Sequence, residues 1–141
     1  MPSYSAENLN KSKRANRLYK DLDLDFGRNV ATNDVNKLTN VEAVKRSLRN
    51  LINLQHFEKP FHPEIGSSIR SMLFEPMNPL TSLNIQRKIE EVISNFEPRV
   101  RLNQILASPD YERNRYEVRI MFYVIGSTQP VEVQTFLERL R

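Results

Sequence analysis

A change of hydrophobic rhythm at Pro98 constrains the fold of this chain more than any other feature of its sequence. Before this proline, apolar residues recur at steps of three and four, the spacing that places them on one helix face: Ile85, Ile89, Val92, Ile93 and Phe96. After it, apolar and basic residues alternate over residues 99–102, as in a strand. Proline lacks an N–H group and disfavours helical backbone at the preceding residue. We therefore predict a helix that ends here and a strand that begins here, with Glu97 and Arg99 at a fixed corner.

The length and the absence of cysteine limit the class of protein. A chain of 141 residues is long enough for one domain with its own core. Without cysteine, neither a disulfide framework nor a thiolate metal site is possible. The sequence has no apolar run near the roughly 20 residues that a membrane helix needs, and its start lacks the apolar region of a signal peptide. We expect a protein that neither enters a membrane nor is exported.

The formal charge is concentrated at the amino terminus. Residues 1–20 hold five basic residues and one acidic residue, which accounts for the whole net charge of +4. The rest of the chain is balanced and has no basic field to attract nucleic acid. We predict a basic, extended tail over residues 1–17, ordered only on a partner, and a single domain over residues 18–141.

The first half of the chain contains one strand pattern and one helix pattern. Apolar residues alternate with aspartates over residues 19–26, which predicts a half-buried strand. This run is not a calcium loop, because leucines interrupt it and the glycine and late glutamate of an EF-hand are missing. Thr39 and Glu42 have the spacing of a capping box, which predicts a helix start at this point. The expected buried stripe of that helix is Val41, Val44, Leu48, Leu51 and Ile52.

Two further helices are predicted before the corner. A short one follows Gly66 and ends before Pro76. A long one starts where Asn78 can cap the helix and Pro79 can occupy the first position, which needs no N–H donor, and it runs to about Phe96.

Strand patterns fill the carboxyl-terminal part. Residues 99–107 and Arg113–Ile125 alternate, with turn chemistry at Ser108–Asp110, and together predict a hairpin. After a break at 126–130, the last segment fits either strand alternation or helical spacing, and so short a run does not decide between them. The predicted fold is α+β: three helices on one side of a small, mainly antiparallel sheet, with the basic tail in front.

Sites for metals, phosphates or nucleophilic catalysis are not indicated. Residues 55–63 hold two histidines among glutamates and prolines, but protein zinc sites normally need at least three ligands. The three glycines are isolated, so they cannot build a phosphate-binding loop. No serine elbow or Ser–His–acid pattern can be identified. We expect no metal and no cofactor.

Glycoside hydrolysis is one enzymatic alternative. It needs two carboxylates about 5–10 Å apart, one of them kept protonated by an apolar pocket. The candidates are Glu64, Glu75, Glu97, Glu112 and Glu117. If Arg99 contacts Glu97, its positive charge lowers the pKa of that carboxyl, whereas a general acid needs a raised pKa. The residues therefore favour a protein that is not an enzyme.

Several segments in a fixed order resemble one protein family. They are the tripeptide Glu97–Pro98–Arg99, an earlier Glu75–Pro76 at the end of a predicted helix, the acidic and apolar run of residues 19–26, the segment 63–66 and the closing residues 136–140. This order resembles the GPW-type baseplate wedge subunits of contractile phage tails, whose relatives occur in type VI secretion baseplates. The resemblance covers residues 18–141. Some members of the family carry a lysozyme label.

The resemblance implies a structural virion protein of the tail baseplate, assembled in the host cytoplasm and present in several copies in a symmetric assembly. Its implied partners are the other baseplate wedge proteins and the tail sheath protein, with no nucleic acid and no membrane. A tail-associated lysozyme that cleaves peptidoglycan is the alternative function.

The resemblance also assigns two protein-binding segments. Glu97, Pro98 and Arg99 are expected to contact the wedge core, although an internal ion pair that closes the corner explains the same residues. The last segment is expected to be an edge strand that starts the sheath by strand addition, through Val131, Val133, Thr135 and Leu137.

Overall fold

A computed structural model describes residues 19–139, so the predicted tail over residues 1–17 lies outside the described part of the chain. The described elements are β1 (Lys20–Leu22), β2 (Lys37–Thr39), α1 (Asn40–Asn53), α2 (Ile69–Met72), α3 (Pro79–Phe96), β3 (Val100–Asp110), β4 (Arg115–Val124) and β5 (Pro130–Glu138). Three helices and two antiparallel sheets confirm the predicted α+β class. Within residues 19–139, no helix is both long and apolar enough to cross a bilayer.

The main sheet has the strand order β3–β4–β5, with both neighbours antiparallel to the central strand. Ile120 of β4 lies opposite Ile105 on one side and Val133 on the other. The pairing of β3 shifts by one residue between Leu102 and Gln104, which marks a β-bulge. Because the last segment forms β5, the strand interpretation of residues 130–138 is confirmed and the helical one is wrong.

One face of this sheet carries the core. Alternate residues of β4 are buried, as the sequence predicted: Tyr116, Val118, Ile120, Phe122 and Val124. They pack against the apolar stripes of α1 and α3, of which Leu48 and Ile89 are fully buried. The opposite face of the sheet is more exposed and mixes charged residues with apolar ones such as Met121 and Phe136, so alternation in the sequence separates a helix-covered face from an open face.

The long helix α3 begins and ends where the sequence predicted. Asn78 is the N-cap residue, and its side chain accepts a hydrogen bond of 2.7 Å from the backbone N–H of Thr81, with Pro79 in the first turn. The N–H of Glu97 donates to the carbonyl of Ile93 at 2.9 Å and closes the helix directly before Pro98. The corner at Pro98 is therefore a consequence of local sequence.

The strand predicted over residues 19–26 is mostly wrong. Only Lys20–Leu22 pairs, with β2, and the apolar side chains at 22, 24 and 26 are exposed. Asp23 ends the strand, because its side chain accepts from the N–H of Asp25 and its carbonyl accepts from the N–H of Phe26. This local turn competes successfully with the ladder, as aspartate side chains often do.

The capping box predicted at the start of α1 does not form. Thr39 is the N-cap residue, but its side chain makes no capping hydrogen bond. Glu42 instead forms an ion pair with Lys45, at 3.0 Å. The helix exists as predicted because its buried stripe, which includes Val44 and Leu48, is held by tertiary packing.

The turn predicted at Ser108–Asp110 begins three residues later. Residues 108–110 belong to β3, and the chain reverses over residues 111–114, where Asn114 adopts a positive φ of 51°. Pro109 is tolerated in a strand because β3 is an edge strand and proline only removes an N–H from its free side.

Candidate protein-binding surfaces

The corner that joins α3 to β3 contains an intramolecular ion pair. The Nε and Nη2 atoms of Arg99 each donate a hydrogen bond of 2.6 Å, one to each carboxylate oxygen of Glu97. Pro98 separates the two residues and fixes the backbone between helix and strand. A fork of this kind is the strongest geometry available to an arginine and a carboxylate, so the corner is rigid in the isolated chain.

A third residue, Ser47 of α1, connects the corner to the first helix. Its hydroxyl donates to Oε2 of Glu97 at 2.6 Å, and only 3% of Glu97 is exposed. The carboxylate therefore accepts three hydrogen bonds in a nearly closed site. Sequence reasoning missed Ser47, because a single serine on the polar side of a predicted helix carries no signal of a partner so distant in sequence.

The electrostatics of the corner keep Glu97 ionised. Burial by itself raises the pKa of this carboxyl, but the hydrogen bonds from Arg99 and Ser47 and the charge of Arg99 outweigh it, so the pKa lies below its ordinary value. The pKa of Arg99 is raised, mainly by its hydrogen bonds to Glu97. Both partners are charged at neutral pH.

Arg99 is the member of the pair that reaches the surface. Its side chain is 28% exposed, and its guanidinium carbon lies 5.5 Å from the centre of the Tyr19 ring. The internal alternative therefore describes Glu97, while the side chain of Arg99 is in part open to solvent.

The second predicted surface is β5. It lies at one edge of the sheet, with β4 as its neighbour in the described part of the chain. Its four predicted residues face the core: Val133, Thr135 and Leu137 are buried and Val131 is half-buried. Their side chains therefore belong to this chain's own fold, and any contact with another strand has to use the backbone.

The direction of the backbone groups on β5 follows from the register. Just beyond the paired residues, the N–H of Arg139 donates to the carbonyl of Asn114 at 3.4 Å. Directions alternate along an antiparallel strand, so residues 131, 133, 135 and 137 direct their N–H and C=O groups at β4. On the other side of β4, the N–H of Ile125 donates to the carbonyl of Arg99 at 2.9 Å. Odd-numbered residues of β4 therefore direct their backbone groups at β3 and even-numbered residues direct theirs at β5, which agrees with the directions on β5. The groups that face the free side belong to residues 132, 134, 136 and 138, which sequence reasoning did not single out.

The opposite edge of the sheet is built differently. Strand β3 carries the bulge beside Gln104 and has Pro109 near its end, and both features obstruct pairing with a further strand. Strand β5 has neither feature between residues 131 and 138. Of the two edges in the described part of the chain, β5 is therefore the less obstructed.

The histidine segment does not form a metal site. Nδ1 of His62 lies 3.1 Å from Oε1 of Glu64, and both side chains are exposed. From Tyr19 to Arg139, no three histidine, cysteine, aspartate or glutamate side chains lie close enough together to hold a metal ion.

Comparison with known sequences relates the chain to one family. The family model described as baseplate wedge protein gp25 matches residues 39–129, from the end of β2 to the turn before β5. The baseplate wedge protein gp25 of Enterobacteria phage T4 is 32% identical over 117 residues, which are 83% of this chain and 88% of that protein.

Comparison with solved structures supports the fold. A putative tail lysozyme from Geobacter sulfurreducens superimposes with a TM-score of 0.66 at 22% identity, over 71% of this chain and 91% of that one. A chain of the anti-feeding prophage baseplate gives a TM-score of 0.61 at 22% identity, over 88% of each chain. A chain of the type VI secretion system baseplate complex gives 0.54 at 13% identity, over 68% of this chain and 92% of that one. At these identities the likeness concerns the fold.

Proposed function

Because this chain belongs to the gp25 family of baseplate wedge proteins, we propose that it docks on the wedge core of a contractile tail through Glu97–Pro98–Arg99 and starts the sheath through β5. The family resemblance seen in the sequence is confirmed by this membership. The protein is a structural component of the tail baseplate, with other baseplate proteins as its partners. We propose that the tail sheath protein is a further partner, and that several copies of this chain act in one symmetric assembly.

The observation that carries the sheath proposal is the contrast between the two edges of the sheet. An edge strand with free N–H and C=O groups is a template for another chain, and natural proteins usually obstruct such edges. Here β3 is obstructed, whereas residues 131–138 of β5 contain neither a proline nor a bulge. Core packing of Val133 and Leu137 holds β5 in one register, so an added strand would find a fixed set of partners.

The corner supports the docking proposal in a different way. Glu97 is buried and saturated by Arg99 and Ser47, so it acts by orienting Arg99. The partly exposed side chain of Arg99, whose guanidinium group lies beside the ring of Tyr19, would then meet a carboxylate or carbonyl of the wedge core. Preorganisation of this kind reduces the entropy lost on docking.

Co-assembly with wedge proteins tests the docking proposal. Arg99→Lys keeps the positive charge but loses the fork, so we expect a folded subunit that enters wedges poorly. The matched control is Arg101→Lys, because Arg101 is an exposed arginine in β3, two residues after Arg99. Normal wedge entry by the Arg99→Lys subunit would show that the corner serves only the fold.

Sheath growth tests the role of β5. Proline at Gln134 removes one N–H from the free side and leaves the β4 side intact. We expect negative-stain electron microscopy to show baseplates that contain the subunit but carry no sheath. Sheaths of normal length on such baseplates would contradict strand addition at this edge.

The geometry gives the lysozyme alternative little support. Glu97 is the buried carboxylate of the described core, and its lowered pKa is the reverse of what a general acid requires. Glu64 is exposed, and its pKa is lowered too, by hydrogen bonds from its own backbone and from His62. A turbidity assay on bacterial cell walls tests this alternative, and clearing by the purified protein would support it.

A further inference from the structure

A groove lies along the outer side of β5 at its carboxyl-terminal half. It has a volume of about 260 Å³. Its lining comes from the end of α1, from α2 and the residue after it, and from β5: Ile52, Asn53, Ile69, Arg70, Leu73 and residues 136–138. We call this space the edge groove.

The edge groove opens at the free edge of the sheet. Of the strands between residues 19 and 139, β5 alone contributes to its lining, with no residue from β3 or β4. It is therefore beside the sheet, where a fourth strand would lie. Its floor is apolar, because Ile52, Ile69 and Leu73 are at most 5% exposed and belong to the core cluster.

An added strand would present its side chains alternately to the two faces of the extended sheet. Side chains on the helix-covered face would point toward α1 and α2, and one of them would enter the edge groove. An aliphatic side chain there would extend the core cluster at Ile69 and Leu73, whereas a polar one would gain nothing from this apolar floor and could pair only with the polar lining residues Asn53, Arg70 and Glu138.

The open face of β5 has an acidic character. Its exposed side chains are Glu132, Gln134, Phe136 and Glu138. The two in the middle are already engaged, since Gln134 donates to Glu117 and the Phe136 ring lies 4.1 Å from the guanidinium carbon of Arg115. The charged side chains of β5 that an added strand would meet on this face are therefore Glu132 and Glu138. Acidic side chains of the added strand opposite them would be unfavourable, because like charges repel.

From these observations we propose that β5 selects a partner strand of one alternating pattern. Aliphatic side chains face the helices, with one in the edge groove, and lysine or arginine side chains face Glu132 and Glu138 on the open side. This inference rests on the proposed strand addition and names the chemistry of the strand that is added.

Short peptides test the pattern directly. The probes are nine-residue peptides with blocked ends that alternate lysine with valine, glutamate with valine, or lysine with asparagine. They are titrated into the isotope-labelled full chain, and the backbone amide signals of residues 132, 134, 136 and 138 are followed by NMR. We expect the lysine–valine peptide to bind about tenfold more tightly than the glutamate–valine peptide, the ratio that two cross-strand charge pairs provide.

Charge reversal and groove filling provide matched variants. Glu132→Lys combined with Glu138→Lys should invert the preference between the lysine and glutamate peptides. Asn53→Trp, at the exposed rim of the edge groove, should lower the affinity for the lysine–valine peptide about tenfold. This is the affinity expected from burying one aliphatic side chain, which the tryptophan would exclude from the groove. Asn50→Trp is its control, because Asn50 is exposed on the same helix and does not line this groove.

The outcomes separate this inference from the proposed function. Equal affinity for the lysine–valine and glutamate–valine peptides would overturn the charge pattern and leave strand addition standing. Equal affinity for the lysine–valine and lysine–asparagine peptides would overturn the role of the edge groove. If no peptide shifts the four edge amides, strand addition itself fails, and the inference fails with it.

Discussion

Ser47 and Glu97 lie 50 residues apart in the chain and are joined by a hydrogen bond of 2.6 Å. The bond fastens α1 to the corner where α3 becomes β3, at the residue pair proposed to meet the wedge core. A hydroxyl that serves a buried, charged acceptor contributes more to stability than one that serves a neutral group. The corner proposed for docking and the stability of the fold are therefore coupled through one side chain.

This coupling predicts the effect of Ser47→Ala. The variant leaves one oxygen of a buried carboxylate with one hydrogen bond fewer, so we expect the free energy of unfolding to fall by about 1–3 kcal/mol. Urea denaturation measures the change. Ser71→Ala is the control, because the Ser71 hydroxyl bonds to the Ser68 carbonyl at an exposed site, and its loss should change stability by less than about 0.5 kcal/mol. Equal effects of the two substitutions would mean that Ser47 contributes nothing specific to the corner.

The lowered pKa of Glu97 predicts how stability responds to acid. In the unfolded chain the Glu97 carboxyl has the ordinary glutamate pKa of about 4.5, and in the folded chain its pKa is lower. As pH falls, the unfolded state therefore binds the proton before the folded state does. The stabilisation that ionised Glu97 gives the fold is complete above the pKa of the unfolded state and is lost as pH falls through the pKa of the folded state. Unfolding free energies measured between pH 6 and pH 3 should therefore decline less steeply in Glu97→Gln than in the natural protein. Glu90→Gln, at an exposed position of α3, is expected to keep the natural slope.

Local sequence specifies some features of this fold, and contacts between distant parts of the chain specify others. The faces of α3 and β4 were predicted correctly because their periodicity extends over many residues, and the α3 start was predicted because Asn78 and Pro79 have well-defined local chemistry. The strand over residues 19–26 was predicted wrongly because the hydrogen bonds of Asp23 were not visible in an alternating pattern. Ser47 and the outward N–H groups of β5 depend on contacts distant in sequence and on register, which no local pattern contains.

The segment that leads from α1 to α2 depends on a glycine. Gly66 has a φ of +148°, and a Cβ atom at this position would lie 2.6 Å from the carbonyl of Gln55. Both the backbone angle and the space therefore exclude a larger residue. We expect Gly66→Ala to lower the free energy of unfolding by about 2 kcal/mol or more, measured by thermal or urea denaturation. Gly126→Ala is the control, because Gly126 also has a positive φ, of 93°, but nothing within 4 Å of the added atom, so its cost should be the smaller.

The alternation of backbone directions along β5 predicts that proline substitutions at two adjacent positions lower the free energy of unfolding by different amounts. The N–H of Thr135 points at β4, so Thr135→Pro removes a hydrogen bond inside the sheet and should lower the free energy of unfolding by about 3 kcal/mol. The N–H of Gln134 points at the free side, so Gln134→Pro should cost about 1 kcal/mol, because proline is tolerated on the outer side of an edge strand. Circular dichroism during urea titration gives both values, and sheath assembly on baseplates should fail for the stable Gln134→Pro subunit. If Gln134→Pro proves the less stable of the two, the register assigned to the free edge is wrong, and the proposed template has to be sought elsewhere on the sheet.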